Sequence, residues 1–157
     1  MDTVRDRVLR GIALNREPGF HYAGNFLGIS YDVVAKGGTR VSLEPGPHCV
    51  DRDGQVNAGV VAMVADIALA TSVRAALDSS TTRLATVSMH LQFTGAAMKG
   101  ALRAEGEFQA FLPAASPLGL SRVSIEAGGE RACFGTGAFM ALAPPPGVTM
   151  HPVARPT

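Results

Sequence analysis

The feature that most constrains this chain is the run NAGVVAMVADIALATSVRAAL, residues 57 to 77, which is apolar on every side of a helix yet carries Asp66 in its middle. At 157 residues the chain is long enough for one core. A helix this apolar either lies inside that core or crosses a membrane. Because Asp66 near its centre and Arg74 near its end would both be costly in lipid, we expect a buried helix from about 58 to 77 and no membrane span.

Segments rich in strand-forming residues lie on both sides of this helix. Before it, residues 25–35 and 38–46 meet at Lys36-Gly37-Gly38, whose glycines favour a hairpin turn. After it, three further strands are predicted with a turn at Gly128-Gly129, over residues 101–112, 120–128 and 130–142.

One more segment, residues 86–93, alternates strictly between apolar and polar side chains. The alternation predicts a half-buried strand whose apolar face carries Val87, Met89, Leu91 and Phe93. Antiparallel strands with apolar faces must cover something, and the helix is the element that offers an apolar surface all round. We therefore predict an α+β fold in which an antiparallel sheet wraps around one long central helix.

Composition limits the partners of the chain. A formal net charge of +1 gives no electrostatic case for nucleic acid. Cys49 and Cys133 are too few for a disulfide framework and lack the paired spacing of a metal site, which indicates no metal and a cytoplasmic location.

We also predict a docking helix in residues 1–18, a single domain over 19–143 and a flexible proline-rich tail over 144–157.

Asp66 itself allows two interpretations. Helical periodicity predicts a face, turned away from water, that it shares with Gly59, Ala62, Met63, Leu69, Ala70 and Val73. A carboxylate in such a place is either a structural group that accepts hydrogen bonds or a general base or nucleophile that partial desolvation makes more basic. Spacing alone leaves both interpretations open.

Three stretches together resemble a known family. The run GQVNAGVVAMVADIALATS, then TVSMHLQF, then a strand ending GTGAFMAL resembles the hotdog-fold acyl-CoA thioesterases of the PaaI/4HBT type. Those proteins carry a G-x-x-H-G-G-x-x-x-x-L-A-D segment that leads into the central helix, and Gly54, Gly59, Ala65 and Asp66 match it in register. The resemblance covers roughly residues 20 to 143 and implies a hotdog fold and hydrolysis of an acyl-CoA or aryl-CoA thioester without a cofactor.

The resemblance also implies roles for individual positions. Asp66 corresponds to the catalytic acid, and Thr86 to the residue that places the water or nucleophile. The backbone N–H of Ala58 corresponds to the donor that polarises the thioester carbonyl, with Asn57 beside it. The implied substrate contacts are Asp51, Gly59, Met63 and Arg83.

Three positions depart from the family pattern. Asn57-Ala58-Gly59 replaces His-Gly-Gly, and Asp51 stands where the family has an asparagine. Alanine retains the backbone N–H, and Asn57 can cap the helix as well as donate from its amide. Asp51 adds a second acid that would repel Asp66 unless its loop turns it to solvent. Three hypotheses follow: a thioesterase, an acyl-thioester binding or sensing protein without turnover, and a purely structural dimer.

The spacing of the implied site residues bears on assembly. Ala58 and Asp66 are eight residues apart, which places them roughly 12 Å apart along one helix. In the resembling family a two-fold partner bridges that gap. The resemblance thus implies a homodimer with shared active sites and leaves open whether two dimers pair further into a tetramer.

Overall fold

The computed structural model describes residues 22–77, 83–113 and 118–142. The predicted docking helix of residues 1–18 and the tail of residues 144–157 lie outside these ranges. The described elements, in chain order, are α1 (Tyr22–Leu27), β1 (Ser30–Ala35), β2 (Gly38–Leu43), α2 (Ala58–Ala76), β3 (Arg83–Phe93), β4 (Leu102–Leu112), β5 (Leu118–Ala127) and β6 (Glu130–Leu142).

The strands of the described residues form one antiparallel sheet in the order β1-β2-β4-β5-β6-β3. β1 and β3 are therefore the two edges, and β4, β5 and β6 lie at the centre. The predicted α+β architecture is confirmed, as is the turn at Gly128-Gly129, where both glycines have positive φ.

α2 is the core of the fold and matches the predicted helix to within one residue. Its fully buried side chains lie on the side that faces the sheet: Val61, Val64, Ala65, Ile67, Ala68, Leu69, Ser72 and Val73. α2 is also the described helix whose length and apolar character would suit a membrane span, but this packing identifies it as the core helix of the domain.

The sheet approaches α2 closely enough to touch its backbone. Gly106 on β4 makes this possible, because a Cβ there would lie 2.3 Å from the carbonyl oxygen of Ala68. Beside it, the Thr39 hydroxyl donates to the same Ala68 oxygen at 3.1 Å, and the Ser121 hydroxyl donates to the oxygen of Leu69 at 3.3 Å. The buried hydroxyls are thus satisfied, and they fix the position of the helix on the sheet.

The prediction of a strand over residues 25–35 is wrong in its first part. Residues 25–27 belong to α1, and the strand begins only at Ser30. The amides of Gly28 and Ile29 both donate to the oxygen of Gly24 at 3.0 Å, and Gly28 has φ +78. This left-handed glycine ends the helix and turns the chain into β1.

The predicted alternation along residues 86–93 is also partly wrong. Met89 and Leu91 pack against the core as expected, but Val87 is 54% exposed and Phe93 is 39% exposed. A register shift between Thr86 and Ser88 marks a bulge at Val87. Since Leu84 packs on the core too, the bulge reverses the alternation along β3. Thr86 is therefore directed towards α2 instead of away from it.

Candidate active site

The N-terminus of α2 is built by Asn57. Asn57 Oδ1 accepts from the N–H of Gly59 at 2.8 Å, and its backbone oxygen accepts from Val60 and Val61 at 2.9 and 3.1 Å. These bonds use three of the amides in the first turn. Among the described residues no acceptor receives the Ala58 N–H, so it is the first-turn amide left for an outside group.

The side chain of Asn57 retains a donor as well. Because Oδ1 must face the Gly59 N–H, the Nδ2 amino group of Asn57 points the other way. Asn57 is exposed, as are Ala58 and Gly59. The helix start therefore offers two neighbouring donors, the Ala58 N–H and the Asn57 amino group, next to the positive end of the helix dipole.

The loop that precedes α2 is fixed by Asp51. Its Oδ1 accepts from the backbone N–H groups of Asp53 and Gln55, both at 2.9 Å, and its backbone pairs with Gln55 across a small bridge. The Asp51 side chain is exposed, and the hydrogen bonds that it accepts come from its own loop. The loop thus turns this carboxylate to solvent, which is the arrangement that avoids repulsion between the two acids.

Asp66 lies eight residues beyond Ala58, where α2 borders the edge strand β3. Thr86 Oγ1 donates to Asp66 Oδ1 at 2.8 Å, so β3 and α2 bring together the two residues that the sequence places 20 positions apart. Asp66 is half-exposed in this chain. The expectation that its whole face is turned from water is therefore wrong: Leu69 and Val73 are buried, whereas Ala62 and Ala70 are half-exposed.

A cavity of about 470 Å³ opens beside the start of α2. Its apolar wall comes from α1, the loop between β2 and α2, and the first two turns of α2, and it includes Ala23, Phe26, Leu27, Val50, Val60 and Met63. Its polar members are His48, Asp51 and Asn57. Four predicted site residues therefore lie around one cavity: Asp51, Asn57, Gly59 and Met63.

The predicted site residues consequently form two separate groups within one chain. The first surrounds the cavity at the helix start, and the second is the Asp66–Thr86 pair, which does not line that cavity. Arg83 opens β3, three residues before Thr86, and its Cα pairs with that of Leu142. Its side chain lies outside what the structure describes.

Sequence reasoning missed the contribution of α1. Phe26 lines the cavity, and its ring meets the ring of His48 edge to face with centroids 5.5 Å apart. Assigning residues 25–27 to a strand hid this wall. Gly28, which ends α1, is the sequence signal that would have revealed a short helix.

The displaced pKa values that the structure shows lie away from both groups. Burial raises the pKa of Tyr31 and lowers the pKa of Arg74, near the far end of α2. Burial also raises the pKa of the Cys133 thiol, which disfavours the thiolate and any nucleophilic use of that residue. A hydrogen bond from Arg122 lowers the pKa of Glu107.

A second depression, of about 890 Å³, lies on the outer face of the sheet. Its charged groups largely neutralise one another, since Arg40 pairs with Glu105 and Arg122 pairs with Glu107, each at 2.7 Å. None of the predicted site residues lines it. Among the described residues no cluster of histidine, cysteine or acidic side chains is suited to a metal ion.

Comparison with known proteins identifies the fold. No protein-family model matches the sequence, and no curated protein matches it. Solved structures superpose well. A protein of Bacillus halodurans solved with CoA has a TM-score of 0.71 at 20% identity, covering 90% of this chain and 92% of its own.

Two further structures give the same result. A thioesterase family protein of Silicibacter pomeroyi has a TM-score of 0.68 at 20% identity, covering 90% of this chain and 100% of its own. A thioesterase of Haemophilus influenzae has a TM-score of 0.68 at 10% identity, covering 91% of this chain and 92% of its own. At such identities the likeness establishes the fold. The chain has the hotdog fold, as the resemblance in its sequence implies.

Proposed function

We propose that this protein hydrolyses an acyl-CoA or aryl-CoA thioester to the free acid and CoA. The observation that carries the proposal is the 2.8 Å hydrogen bond from Thr86 to Asp66. It holds a carboxylate in a fixed orientation on the open side of the central helix, in a fold that this chain shares with thioesterases.

Asp66 supplies the attack on the thioester carbonyl. Either Asp66 removes a proton from water, which then attacks, or its carboxylate attacks directly and water cleaves the resulting anhydride. The carbon–sulfur bond breaks and CoA leaves as a thiolate that takes up a proton. The Thr86 hydroxyl donates to one carboxylate oxygen, which leaves its own lone pairs to hold the attacking water.

The N-terminus of α2 supplies the oxyanion donors. As the carbonyl carbon becomes tetrahedral, negative charge develops on its oxygen, and donors aimed at that oxygen lower the barrier. The Ala58 N–H and the Asn57 amino group fill this role. Asn57 replaces the family histidine without a positive charge, which weakens the stabilisation but does not remove it.

Two copies of the chain are needed to assemble each site. Ala58 and Asp66 lie roughly 12 Å apart along α2, too far for one carbonyl group to meet both. The open side of α2 is half-exposed and mostly apolar around Asp66, and the edge strand β3 exposes Val87. A two-fold homodimer would cover these surfaces and set Asp66 of one chain against the helix start of the other. The same symmetry permits a dimer of dimers.

Further parts of the proposal concern the substrate and its setting. The Bacillus halodurans protein with this fold was solved with CoA, and we propose CoA as the thiol carrier here. Arg83, close in sequence to Thr86, is a candidate partner for its phosphates. We also propose that the enzyme is cytoplasmic and uses neither a metal nor a bound cofactor.

A second candidate function is binding or sensing of an acyl thioester without turnover. The observation that favours it is the set of departures at the site, Asn57-Ala58 for His-Gly and Asp51 for asparagine. Release of free thiol from a panel of acyl-CoA and aryl-CoA esters distinguishes the two functions, when it is compared with thermal shifts produced by the same panel. Thiol release supports hydrolysis, binding without release supports sensing, and the absence of both leaves a structural dimer.

A further inference from the structure

The cavity beside the start of α2 has walls of different chemistry. Asn57 and Gly59 belong to its lining, which places the exposed Ala58 N–H next to the cavity. Another part of the lining is apolar and comes from α1, through Ala23 and Phe26. A group whose carbonyl oxygen meets the Ala58 N–H would therefore extend along an apolar surface that ends at α1.

The chemistry of the cavity selects the acyl end of a thioester over the pantetheine end. Pantetheine carries two amides and a hydroxyl, which would lose hydrogen bonds to water on entering a mostly apolar cavity. An alkyl or aryl group has no hydrogen bonds to water to lose there, and burial of its apolar surface favours binding.

Phe26 is the largest side chain that α1 contributes to the lining of this cavity. It is half-buried, and its ring is held edge to face against His48 with the ring planes at 69°. The backbone that carries it is fixed, since Gly28 ends α1 through the two bonds to Gly24. A ring held in this way is a firm wall, because neither its side chain nor its helix can swing aside without losing contacts.

We propose that the cavity between α1 and the start of α2 binds an uncharged alkyl or aryl acyl group, and that Phe26 is the specificity-determining residue that limits its length. This inference rests on the proposed function, since it takes the thioester carbonyl to lie at Ala58. It adds a location for the acyl group and a specificity-determining residue that the sequence pattern does not assign.

The test uses matched variants that change the depth of the cavity in opposite directions. Phe26→Ala removes the wall, whereas Ala23→Leu fills space beside it. Phe111→Ala is the control, because Phe111 also makes one ring contact, with Phe108 at 4.7 Å, but lies on β4 away from the cavity. Far-ultraviolet circular dichroism and melting temperature establish that each variant is folded. Phe26→Leu replaces Phe26→Ala if the latter is unfolded at the assay temperature.

Two readouts are taken with each variant. The first is kcat/KM for a series of straight-chain acyl-CoA esters, and the second is the dissociation constant for a matched series of S-alkyl-CoA thioethers, which cannot be hydrolysed. Each methylene that finds an apolar wall improves binding about fourfold, and the gain stops where the chain meets Phe26. With Phe26→Ala we expect the gain to continue for about two more methylenes, or about 16-fold at the longer length. Ala23→Leu shortens the profile, and Phe111→Ala leaves it unchanged.

The outcomes separate this inference from the function on which it rests. If esters are hydrolysed but neither cavity variant changes the length profile, the acyl group lies elsewhere and the inference is wrong. If no ester is hydrolysed while the thioether profile shifts as expected, the inference holds and the hydrolytic function fails. If the protein binds no thioether and hydrolyses no ester, both fail.

Discussion

Replacing Ala58 by proline separates the proposed catalytic use of one backbone N–H from its use in folding. Proline suits the first position of a helix, where the N–H has no partner within the helix. The preceding residue, Asn57, already has φ −60 and ψ 136, the extended conformation that proline requires of its neighbour. Since no described acceptor receives the Ala58 N–H, the substitution removes no hydrogen bond from the fold.

The expected result is a folded but inactive protein. Loss of one oxyanion donor lowers kcat by ~10²–10³. Proline at a compatible position leaves the free energy of unfolding unchanged or raises it by about 0.4–1 kcal/mol. Thiol release measures the first effect, and denaturant unfolding measures the second.

Two control variants change the side chain at position 58 but keep its backbone N–H. Ala58→Gly and Ala58→Ser both keep the N–H, and we expect both to retain most of the wild-type kcat. An Ala58→Pro variant with near-wild-type kcat would refute the role of this N–H. A variant that is inactive because it is unfolded would instead refute the assignment of Ala58 to the first turn with a spare amide.

Four other substitutions have defined expected outcomes. Asp66→Asn keeps the shape of the side chain but removes its charge, so kcat falls by ~10² or more with little change in melting temperature. Thr86→Ala costs less, because water replaces the hydroxyl that donates to Asp66, and a loss larger than that of Asp66→Asn in the same thiol-release assay would mean that the roles are reversed. Gly106→Ala places a Cβ 2.3 Å from the α2 backbone and lowers the free energy of unfolding by about 1–3 kcal/mol. Gly38→Ala, on the neighbouring strand with open space around its Cβ, leaves stability unchanged or slightly higher in the same denaturant titration.

The central architecture could be predicted from the sequence because its signals are local. The length of the helical segment, its apolar surface and the Asn57 cap predict α2. A continuous run of strand-forming residues predicts β6. The wrong predictions concern segments in which contacts distant in sequence override the local pattern. The bulge at Val87 depends on pairing with β6, and pairing partners distant in sequence leave no trace in the alternation of β3 itself.

The candidate site, like the fold, is only partly predictable from the sequence. The contact between Thr86 and Asp66 needs the bulge that reverses β3, so the residues alone would place Thr86 on the wrong face. The family resemblance implies roles for Thr86 and Asp66, but it does not explain how the two side chains meet. The orientation of Asp51 depends on the two loop amides that bind it, and no spacing rule predicts which way such a carboxylate turns.

The measurement that most directly tests the shared active site is complementation between two inactive variants. Asp66→Ala lacks the acid, and Ala58→Pro lacks the N–H donor. A mixed dimer would contain one site with both groups intact and one site with both groups damaged. Random re-association makes about half of the dimers mixed, so activity should recover to about a quarter of the wild-type value. A mixture that stays as inactive as its components, while native mass spectrometry shows that mixed dimers have formed, would contradict the account.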